Sequence, residues 1–404
     1  MSIRLANIPA RMLSRAAACA LAATLAGCGG GGGDDHHHYY PPPPKPVGIT
    51  YDVIPLSLGG TGSGAVVRHN AITADGKVAG TIDVPGGALH AFLYDGKKMI
   101  DLGTMGGTGS EATGLNQRGQ VVGWAYAKGW SQAFLYDGDG GMHDLGNFGG
   151  ADAYAAAISE SGQITGYATT ADGVRHAFLY RDGMLKQLSV PGLASAGWAI
   201  NGGGQVAGNY QDGGQAKLAF LDEVCGCVQT LGTLGGAEAL VYGLNDVGQV
   251  IGVSDTAVGQ RHAFLYQNGA MKDLGTFGGT GSFAAAINEA GLVAGDADNA
   301  NGNAHAFLYD GNSLKDLGGL GGDISKAAAL NGVGQVVGYA LTKKGEPHAF
   351  SWTEAEGLVD LNTRIPRAPY SLVLTGAAAV SDSGSIVAYS NAGLVLLKVH
   401  QSTK

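Results

Sequence analysis

The sequence predicts an all-β fold, a β-propeller of eight four-stranded blades arranged in a ring. Three observations support this prediction: a repeat of about 43 residues, four short extended runs in each repeat, and an incomplete repeat at each end of the chain. The repeat is clearest in an Ala-Phe pair that recurs at intervals of 42 to 44 residues. Its phenylalanines are Phe92, Phe134, Phe178, Phe220, Phe264, Phe307 and Phe350.

One copy of the repeat, residues 284–317, shows the four runs that would form strands a to d of a blade. Strand a is small and apolar, and strand c carries the Ala-Phe pair. The turn between strands a and b contains Asn288 and Gly291, residue types that supply the positive φ of a tight hairpin. No run has the periodicity and length of a helix. The repeat is therefore expected to fold as a four-stranded antiparallel sheet, which is what a propeller blade requires.

The two ends of the chain determine the predicted number of blades. The C-terminal part has three runs, 377–380, 385–388 and 394–399, but no fourth. The N-terminal part begins with a lone run, 51–58, which ends like a strand d. We expect this run to complete the last blade and close the ring, which removes an open sheet edge. A seven-bladed ring with a loose terminal extension remains the alternative.

The first 28 residues have the pattern of an export signal. Three arginines and no acidic residue precede an apolar run over 16–26, which is too short to span a bilayer. The run ends in Leu25-Ala26-Gly27-Cys28, which resembles the lipobox of bacterial lipoproteins. The resemblance implies cleavage before Cys28, a lipid on its thiol and, because Gly29 follows, location at the outer membrane. We expect a signal peptide over 1–27, a tether over 28–50 and one propeller over 51–400.

Charge limits the possible partners. The chain has 24 Lys and Arg against 33 Asp and Glu. Without the first 27 residues, which hold three arginines, the formal net charge falls from −9 to −12. An acidic protein is a poor match for nucleic acid or for an anionic lipid surface. We expect a monomer that contacts the membrane through its lipid anchor and binds an unidentified protein or polysaccharide ligand.

Two cysteines remain in the predicted propeller, Cys225 and Cys227, separated by one glycine. In an oxidising compartment this pair could form a small strained disulfide. Two thiolates without further ligands make a poor metal site. The pair is interpreted as a local clip in a hairpin.

The repeated phrases resemble one known family. His-Ala-Phe-Leu-Tyr begins at His90, His176, His262 and His305, and it recurs with Asp-Leu-Gly-Thr-x-Gly-Gly and Asn-x-x-Gly-Gln-Val-Val-Gly. Together these motifs resemble the bacterial extracellular HAF-repeat family over about residues 56 to 390. The resemblance implies an extracytoplasmic location and no particular chemistry.

The repeats contain no obvious catalytic or metal site. The repeated histidines lie on different blades, so we expect each to bond to a neighbouring strand instead of sharing an ion. The repeated aspartates before the leucine of strand d are expected to accept hydrogen bonds from the Gly-rich crossing. Residues 296–303 only faintly resemble a calcium loop. The strands a look almost entirely small or aliphatic, with Arg68 and His69 as the main exception. We therefore predict no catalytic residue, no cofactor and no metal, and a protein that is not an enzyme.

Differences between the repeats point to a binding surface. The b–c loops differ in every blade and should emerge on one face of the ring, where binding sites are usually built. Trp130 lies in one of these loops and could stack on a sugar. We predict a binding or scaffold module for a protein or polysaccharide partner. The alternatives are a polysaccharide lyase or hydrolase on a propeller frame and a purely structural envelope protein.

Overall fold

The computed structural model describes residues 48–62, 64–68, 71–127, 129–138, 140–223 and 226–400. Within these residues the protein is all-β, with 31 strands, one short 3₁₀ helix and no α-helix. In chain order the strands are β1 (Tyr51–Leu56), β2 (Val78–Asp83), β3 (Leu89–Tyr94), β4 (Met99–Gly103), β5 (Ser110–Leu115), β6 (Val121–Ala127), β7 (Trp130–Tyr136), β8 (Met142–Asp144), β9 (Gly149–Ile158), β10 (Ile164–Thr170), β11 (Arg175–Arg181), β12 (Met184–Gln187), β13 (Ala194–Ile200), β14 (Val206–Gln211), β15 (Lys217–Asp222), β16 (Val228–Gly232), β17 (Gly235–Leu244), β18 (Val250–Thr256), β19 (Arg261–Gln267), β20 (Ala270–Asp273), β21 (Gly278–Ile287), β22 (Val293–Asn299), β23 (Ala304–Tyr309), β24 (Leu314–Asp316), β25 (Gly321–Leu330), β26 (Val336–Thr342), β27 (Pro347–Thr353), β28 (Gly357–Asp360), β29 (Leu374–Val380), β30 (Ile386–Ser390) and β31 (Gly393–Val399), with the 3₁₀ helix Leu361–Arg364 after β28.

Consecutive strands pair as antiparallel meanders, which form the blades. Blades 2, 3, 4 and 7 are the four-stranded sheets β5–β8, β9–β12, β13–β16 and β25–β28. Blades 5 and 6, β17–β20 and β21–β24, are joined into one sheet by a single parallel pair between Arg261 and Gly281. Blade 1 consists of β2–β4, and Val66 adds a bridge to Thr81 at the strand-a position. Together with the last blade, the described residues therefore form eight blades.

The last blade contains both ends of the described chain. Its order is β29, β30, β31 and then β1, which pairs antiparallel with β31 from Tyr51 opposite Val399 to Leu56 opposite Leu394. The Nδ1 of His400 lies 2.8 Å from a carboxylate oxygen of Asp52 beside this pairing. The terminal runs thus form a complete eighth blade, as the sequence predicted, and the seven-bladed alternative is wrong.

The core is divided into eight hydrophobic clusters, and each lies between two neighbouring blades. The seven phenylalanines of the repeat are fully buried in these layers. One cluster joins blade 8 to blade 1 through Leu56, Ala379 and Leu396 on one side and Val78 and Phe92 on the other. Because every neighbouring pair of blades shares apolar surface, burial of that surface closes the ring.

The repeated phenylalanine explains a repeated glycine on strand b. A Cβ atom added to Gly252 would lie 1.9 Å from the carbonyl oxygen of Leu240 and 2.9 Å from the ring of Phe264. Both distances are shorter than any real carbon contact. The glycine is therefore required by the close approach of strand a on one side and the aromatic ring on the other.

The a–b turns carry a buried asparagine that links one blade to the next. In blade 5, the Oδ1 of Asn245 accepts the backbone N–H of Gln249 at 2.9 Å and so closes its own turn. Its Nδ2 donates to the backbone carbonyl of Asn288 in blade 6 at 3.1 Å. Asn245 is almost fully buried. One side chain thus fixes the hairpin of its own blade and the position of the neighbouring hairpin.

Equivalent hydrogen bonds continue around this face of the ring. Asparagine Nδ2 atoms donate to the turn of the following blade from Asn116 to Ser159, from Asn201 to Asn245, from Asn288 to Asn331 and from Asn331 to Ser381. At the remaining junctions, Ser383 donates to the Ala74 carbonyl, the Ala74 N–H donates to Gln117, and Ser161 lies 3.5 Å from the Gly202 carbonyl. We call this set the turn belt. It connects all eight blades, including the eighth to the first.

The turn belt revises the reason for the asparagine in the repeat. The sequence analysis assigned this residue to the positive φ of the hairpin. Among the described non-glycine residues, the positive φ values belong to Asp182, Gln215 and Asn268, none of which is a belt asparagine. The positive φ of the a–b turn falls on its glycine, for example Gly248 at +81°. The asparagine is needed for its amide group.

Replacing Asn245 by Ala tests the belt. The variant loses the buried side-chain bonds of Asn245 to Gln249 and to the Asn288 carbonyl, which keeps only the Gly291 N–H as a donor. The free energy of unfolding should therefore fall by about 2–3 kcal/mol. The measurement is urea unfolding of the two proteins. The control is Val247→Ala in the same turn, where the side chain is exposed and the change should stay within about 0.5 kcal/mol. Equal stability of both variants would show that the belt adds nothing to the ring.

Candidate functional site

The strand directions give the ring two different faces. The a–b turns and the turn belt lie on one face, which we call the turn face. The b–c turns and the crossings from strand d to the next strand a lie on the other, which we call the loop face. β1 begins at the turn face, because Tyr51 is opposite Val399 and β31 reaches Val399 after leaving the b–c turn at Gly393. The chain therefore enters the propeller on the face opposite the b–c turns.

Trp130 lies where the sequence analysis placed it. It is the first residue of β7, directly after a b–c turn on the loop face, and it is 54% exposed. Tyr126, near the end of β6, is also exposed, and its ring contacts Trp124 edge-on at 5.0 Å between centroids. Strand ends thus hold several aromatic side chains at the loop face of blade 2.

The repeated histidines are structural residues on the outer part of the blades. Nδ1 of His90, His262, His305 and His348 lies 2.7 to 2.9 Å from the aspartate of the adjacent strand d in the same blade. Those aspartates also accept a backbone N–H from the crossing that follows, such as Gly103 to Asp101 at 2.8 Å. Both features agree with the expectation from the sequence. The described residues hold no group of three His, Cys, Asp or Glu that could bind a metal ion.

The segment that faintly resembles a calcium loop is a turn held by its own side chains. Asn299 Oδ1 accepts the backbone N–H groups of Asn301 and Asn303 at 2.9 and 3.1 Å. The carboxylate of Asp296 turns away from the loop toward Lys326, whose Nζ lies 2.8 Å from it. The oxygens that a calcium ion would need are therefore not gathered in this loop.

The other predicted residues are only partly described. Cys28 and the tether before residue 48 lie outside the described residues, as do His69 and Cys225. Cys227 is exposed in the turn before β16. The lipid attachment and the Cys225–Cys227 disulfide therefore stay predictions.

A cluster of charged and aromatic side chains lies inside the ring, where the sequence analysis expected small and aliphatic residues with Arg68 and His69 as the main exception. Arg68, at the strand-a position of blade 1, donates to the Glu111 carboxylate of blade 2 at 3.3 Å and to the Tyr154 hydroxyl of blade 3 at 3.1 Å. Blade 2 separates blades 1 and 3. An Arg68 side chain that starts in blade 1 and reaches blade 3 must therefore pass blade 2 along its innermost strand, where Glu111 lies.

Aromatic rings continue the cluster into blades 3 and 4. Tyr154 on β9 and Tyr167 on β10 are cross-strand partners whose rings stack, with centroids 5.4 Å apart and planes 5° from parallel. Trp198 on β13 meets both rings edge-on at 6.3 and 6.5 Å. The guanidinium of Arg175 lies over the Tyr167 ring at 4.6 Å, a cation–π contact. We call Arg68, Glu111, Tyr154, Tyr167, Arg175 and Trp198 the channel cluster.

The channel cluster combines neutral and charged groups near solvent. Burial raises the pKa of Tyr154 to about 12, so its phenol stays protonated across the physiological range. The side chains of Arg68 and Glu111 keep 40% and 29% of their surface exposed. Arg68 and Glu111 thus reach solvent, whereas the Tyr154 phenol beside them is mostly buried.

Blades 5 to 7 hold ion pairs instead of the aromatic contacts of blades 2 to 4. Arg261 donates to Asp255 at 3.1 Å and to Glu238 at 3.2 Å. Lys326 bonds to Asp296, as described above. Burial alone would lower the pKa of Lys326, but the Asp296 carboxylate outweighs it and the pKa is raised. Arg261 is held by carboxylates of its own blade 5, and Lys326 of blade 7 is held by Asp296 of blade 6.

One buried carboxylate outside the channel has an oxygen without a hydrogen-bond partner among the described residues. Asp222 stands at the end of strand c in blade 4, where five other blades have tyrosine and one has tryptophan. It is 3% exposed, and its Oδ1 has no hydrogen-bond partner within the described part of the chain. Burial raises the pKa of the Asp222 carboxyl. A lone buried acid of this kind is a local cost in stability.

No protein-family model matches this sequence, and no curated protein is similar to it in sequence. Solved structures do resemble it. A puromycin hydrolase variant complexed with PGG aligns with a TM-score of 0.52 at 14% identity, over 82% of this chain and 58% of the hydrolase chain. A second puromycin hydrolase structure gives 0.50 at 14% identity, over 80% and 57%. The β-propeller domain of the Trilobed protease from Pyrococcus furiosus aligns over 76% of this chain and 99% of its own, at 10% identity and a TM-score of 0.47.

These comparisons confirm the fold and correct one expectation. The chain spans less than two thirds of the length of the puromycin hydrolases it matches. The prediction from the repeats that the chain is not an enzyme is wrong. Solved structures that share the fold include hydrolases, so a propeller of this kind is compatible with an enzyme. Plain repeats without a catalytic motif are therefore no argument against an enzyme. At 14% identity the likeness shows the fold alone and assigns no reaction to this chain.

A search of the described residues for a helix long and apolar enough to cross a membrane finds none.

Asp222→Asn tests the buried carboxylate through its pH dependence. The folded protein holds the Asp222 proton more tightly than the unfolded chain, so wild-type stability is lost as the pH rises above the unfolded pKa of 3.8. The variant has no ionisation to lose, so we expect it to melt above wild type at about pH 7, with the difference shrinking near pH 4. Calorimetry at both pH values measures this.

The control for that experiment is Asp95→Asn. Asp95 accepts the N–H groups of Lys97 and Lys98 at 2.8 and 2.9 Å, and these bonds lower its pKa. Its replacement should not raise the melting temperature at about pH 7, because the ionised form is the stabilised one there. A gain for both variants would trace the effect to net charge instead of to burial at Asp222.

Proposed function

We propose that this protein is a lipid-anchored, extracytoplasmic propeller that binds a protein or polysaccharide partner on its loop face. The observation that carries the proposal is the placement of the two faces. The chain enters β1 on the turn face, whereas the b–c turns and Trp130 lie on the loop face. A lipid on Cys28 and a tether over 28–50 would connect the propeller to the membrane through its turn face, which leaves the loop face free. The loop face would then point toward the partner.

The loop face supports binding more than the turn face does. Its b–c turns differ between blades, and a rigid sheet holds each of them at both ends. Trp130 is a large side chain with half of its surface exposed, and exposed tryptophans are common anchors of binding interfaces. The turn face, by contrast, is occupied by the hydrogen bonds of the turn belt. This difference between the faces favours binding on the loop face.

A polysaccharide partner is favoured over a protein by the aromatic content of this face. The flat ring of an indole matches the apolar face of a sugar, while its N–H can reach a hydroxyl group. The acidic charge of the protein, −9 for the whole chain, also argues against strongly anionic partners. We place the binding surface at the strand ends of blade 2, around Trp130 and Tyr126.

Replacing Cys28 by Ala tests the anchor. In a Gram-negative host, we expect the wild-type protein to sediment with membranes and to incorporate labelled palmitate, because two or three acyl chains hold a protein stably in a bilayer. The Cys28→Ala protein should be unlabelled and soluble. The control is Cys19→Ala within the signal peptide, which should behave like wild type. Protease cleavage on intact and on permeabilised cells then gives the side of the outer membrane. An unlabelled wild type, or label that persists in Cys28→Ala, would refute the lipid anchor.

Replacing Trp130 by Ala tests binding at the loop face. The purified detergent-solubilised lipoprotein is mixed with insoluble cellulose, chitin or peptidoglycan sacculi, and the sedimented fraction is measured. We expect wild type to sediment with at least one polymer and Trp130→Ala to bind it about tenfold more weakly. The control is Tyr370→Ala, which removes a fully exposed aromatic ring elsewhere. New reducing ends in the polymer would replace the binding role by an enzymatic one. If the protein sediments with none of the polymers, the polysaccharide partner is refuted and a protein partner is the alternative that stays.

A further inference from the structure

We infer that the channel cluster is a binding site for a neutral sugar ring, so that a glycan chain engages the mouth of the central channel as well as the loop face. This inference rests on the proposed function and names a second site for the same class of partner. It starts from the distribution of aromatic residues. Three of the four tryptophans in the chain, Trp124, Trp130 and Trp198, lie in blades 2 to 4. The stacked pair Tyr154 and Tyr167 lies in the same part of the ring.

The geometry of the cluster suits a sugar. Tyr154 and Tyr167 form a double layer of parallel rings, and Trp198 stands nearly perpendicular to both, at 68° and 70°. The tyrosine pair and Trp198 thus form two aromatic walls of a corner. A sugar ring, whose faces consist of C–H groups, can pack against such walls. Arg68, Arg175 and Glu111 stand around it with planar polar groups that match adjacent hydroxyls in pairs. Aromatic walls with a few converging polar groups are the usual composition of a ligand site.

Several donors of the cluster have no acceptor in the described part of the chain. Arg68 donates to the oxygen of Tyr154, so the phenolic hydrogen points elsewhere, and no described residue accepts it. The Nε of Arg68 is buried without a partner. Arg175 contacts the Tyr167 ring and forms no ion pair with a described carboxylate. Of these groups, the Tyr154 hydroxyl and the exposed Arg175 guanidinium are the donors that we expect to bond to hydroxyl groups of a bound sugar.

Charge balance favours a neutral sugar over an acidic one. Arg68 is already paired with Glu111, which leaves Arg175 as the one cation of the cluster without a carboxylate. Across the channel, Glu238, Asp255 and Asp296 outnumber Arg261 and Lys326. A polyanion entering the channel would meet this excess of carboxylates. A neutral chain meets no such repulsion.

The test uses short soluble probes, which separate the channel site from binding to insoluble polymers. The full-length lipoprotein in detergent is titrated with cellohexaose, maltohexaose and N-acetylchitohexaose, and binding is followed by calorimetry. We expect at least one probe to bind and Trp198→Ala to weaken it about tenfold or more. The matched control is Tyr242→Ala, at the same strand-a position of blade 5, which should bind like wild type. A hyaluronan hexasaccharide, which is acidic, should bind at least about tenfold more weakly than the best neutral probe.

A second variant keeps the test valid if Trp198→Ala does not fold. Arg175→Gln changes an exposed side chain, removes the cation–π contact and should also weaken the best probe while the melting temperature stays near that of wild type. Equal loss in Tyr242→Ala, or no loss in Arg175→Gln and Trp198→Ala, would overturn the channel site. So would the failure of all three neutral probes to bind at about 5 mM. Sedimentation with polymers that depends on Trp130 would still support the proposed function in those cases.

Discussion

The amide group of a buried asparagine, present in five of the eight a–b turns, is the interaction on which the ring most depends. Asn245 closes its own hairpin through Gln249 and holds the next hairpin through the carbonyl of Asn288. Because the acceptor is the a–b turn of the next blade, a displaced turn in one blade also displaces the hydrogen-bond partner in the blade beside it. Apolar layers between blades supply most of the driving force, but they are not directional. The turn belt supplies the direction and sets each blade at a fixed position relative to the next.

The sequence predicted most of the features that repeat and few of those that do not. The period of the Ala-Phe pair and the incomplete ends were enough for eight blades closed by β1, because a blade is a local structure built from hairpins. The pairing of His90 with Asp101 was also accessible, since both residues recur at fixed offsets. The hydrogen bond from the asparagine to the next blade could not be predicted, because its acceptor lies one full repeat away along the chain. The composition of strand a was misjudged, since the period directed attention to the alanines of β9 and away from Tyr154 between them.

The channel cluster could not be predicted for a related reason. Arg68, Tyr154 and Trp198 occupy different blades and break the repeat in different ways, so no motif connects them. Only the curvature of the ring brings blades 1, 3 and 4 to one place. Asp222 shows that a break in the repeat is not by itself a site, since it replaces an aromatic residue and its Oδ1 has no hydrogen-bond partner among the described residues. What distinguishes the channel cluster is that its members contact one another across blade boundaries and still reach solvent.

The pairing of β1 with β31 has a consequence for how the chain acquires its structure. Asp52 and His400 are 348 residues apart, so the first strand to leave a ribosome or an export channel is among the last to find its partner. Seven blades can form from contacts between neighbouring strands before β1 is paired. Until then Tyr51 and Leu56, which are buried in the complete ring, stay exposed to solvent. Such long-range pairing is slow because the chain loses the entropy of closing a long loop before the stabilising contacts form. Folding therefore ends with a single late event at the ends of the chain, and any product that stops short of β31 keeps an unpaired and adhesive edge.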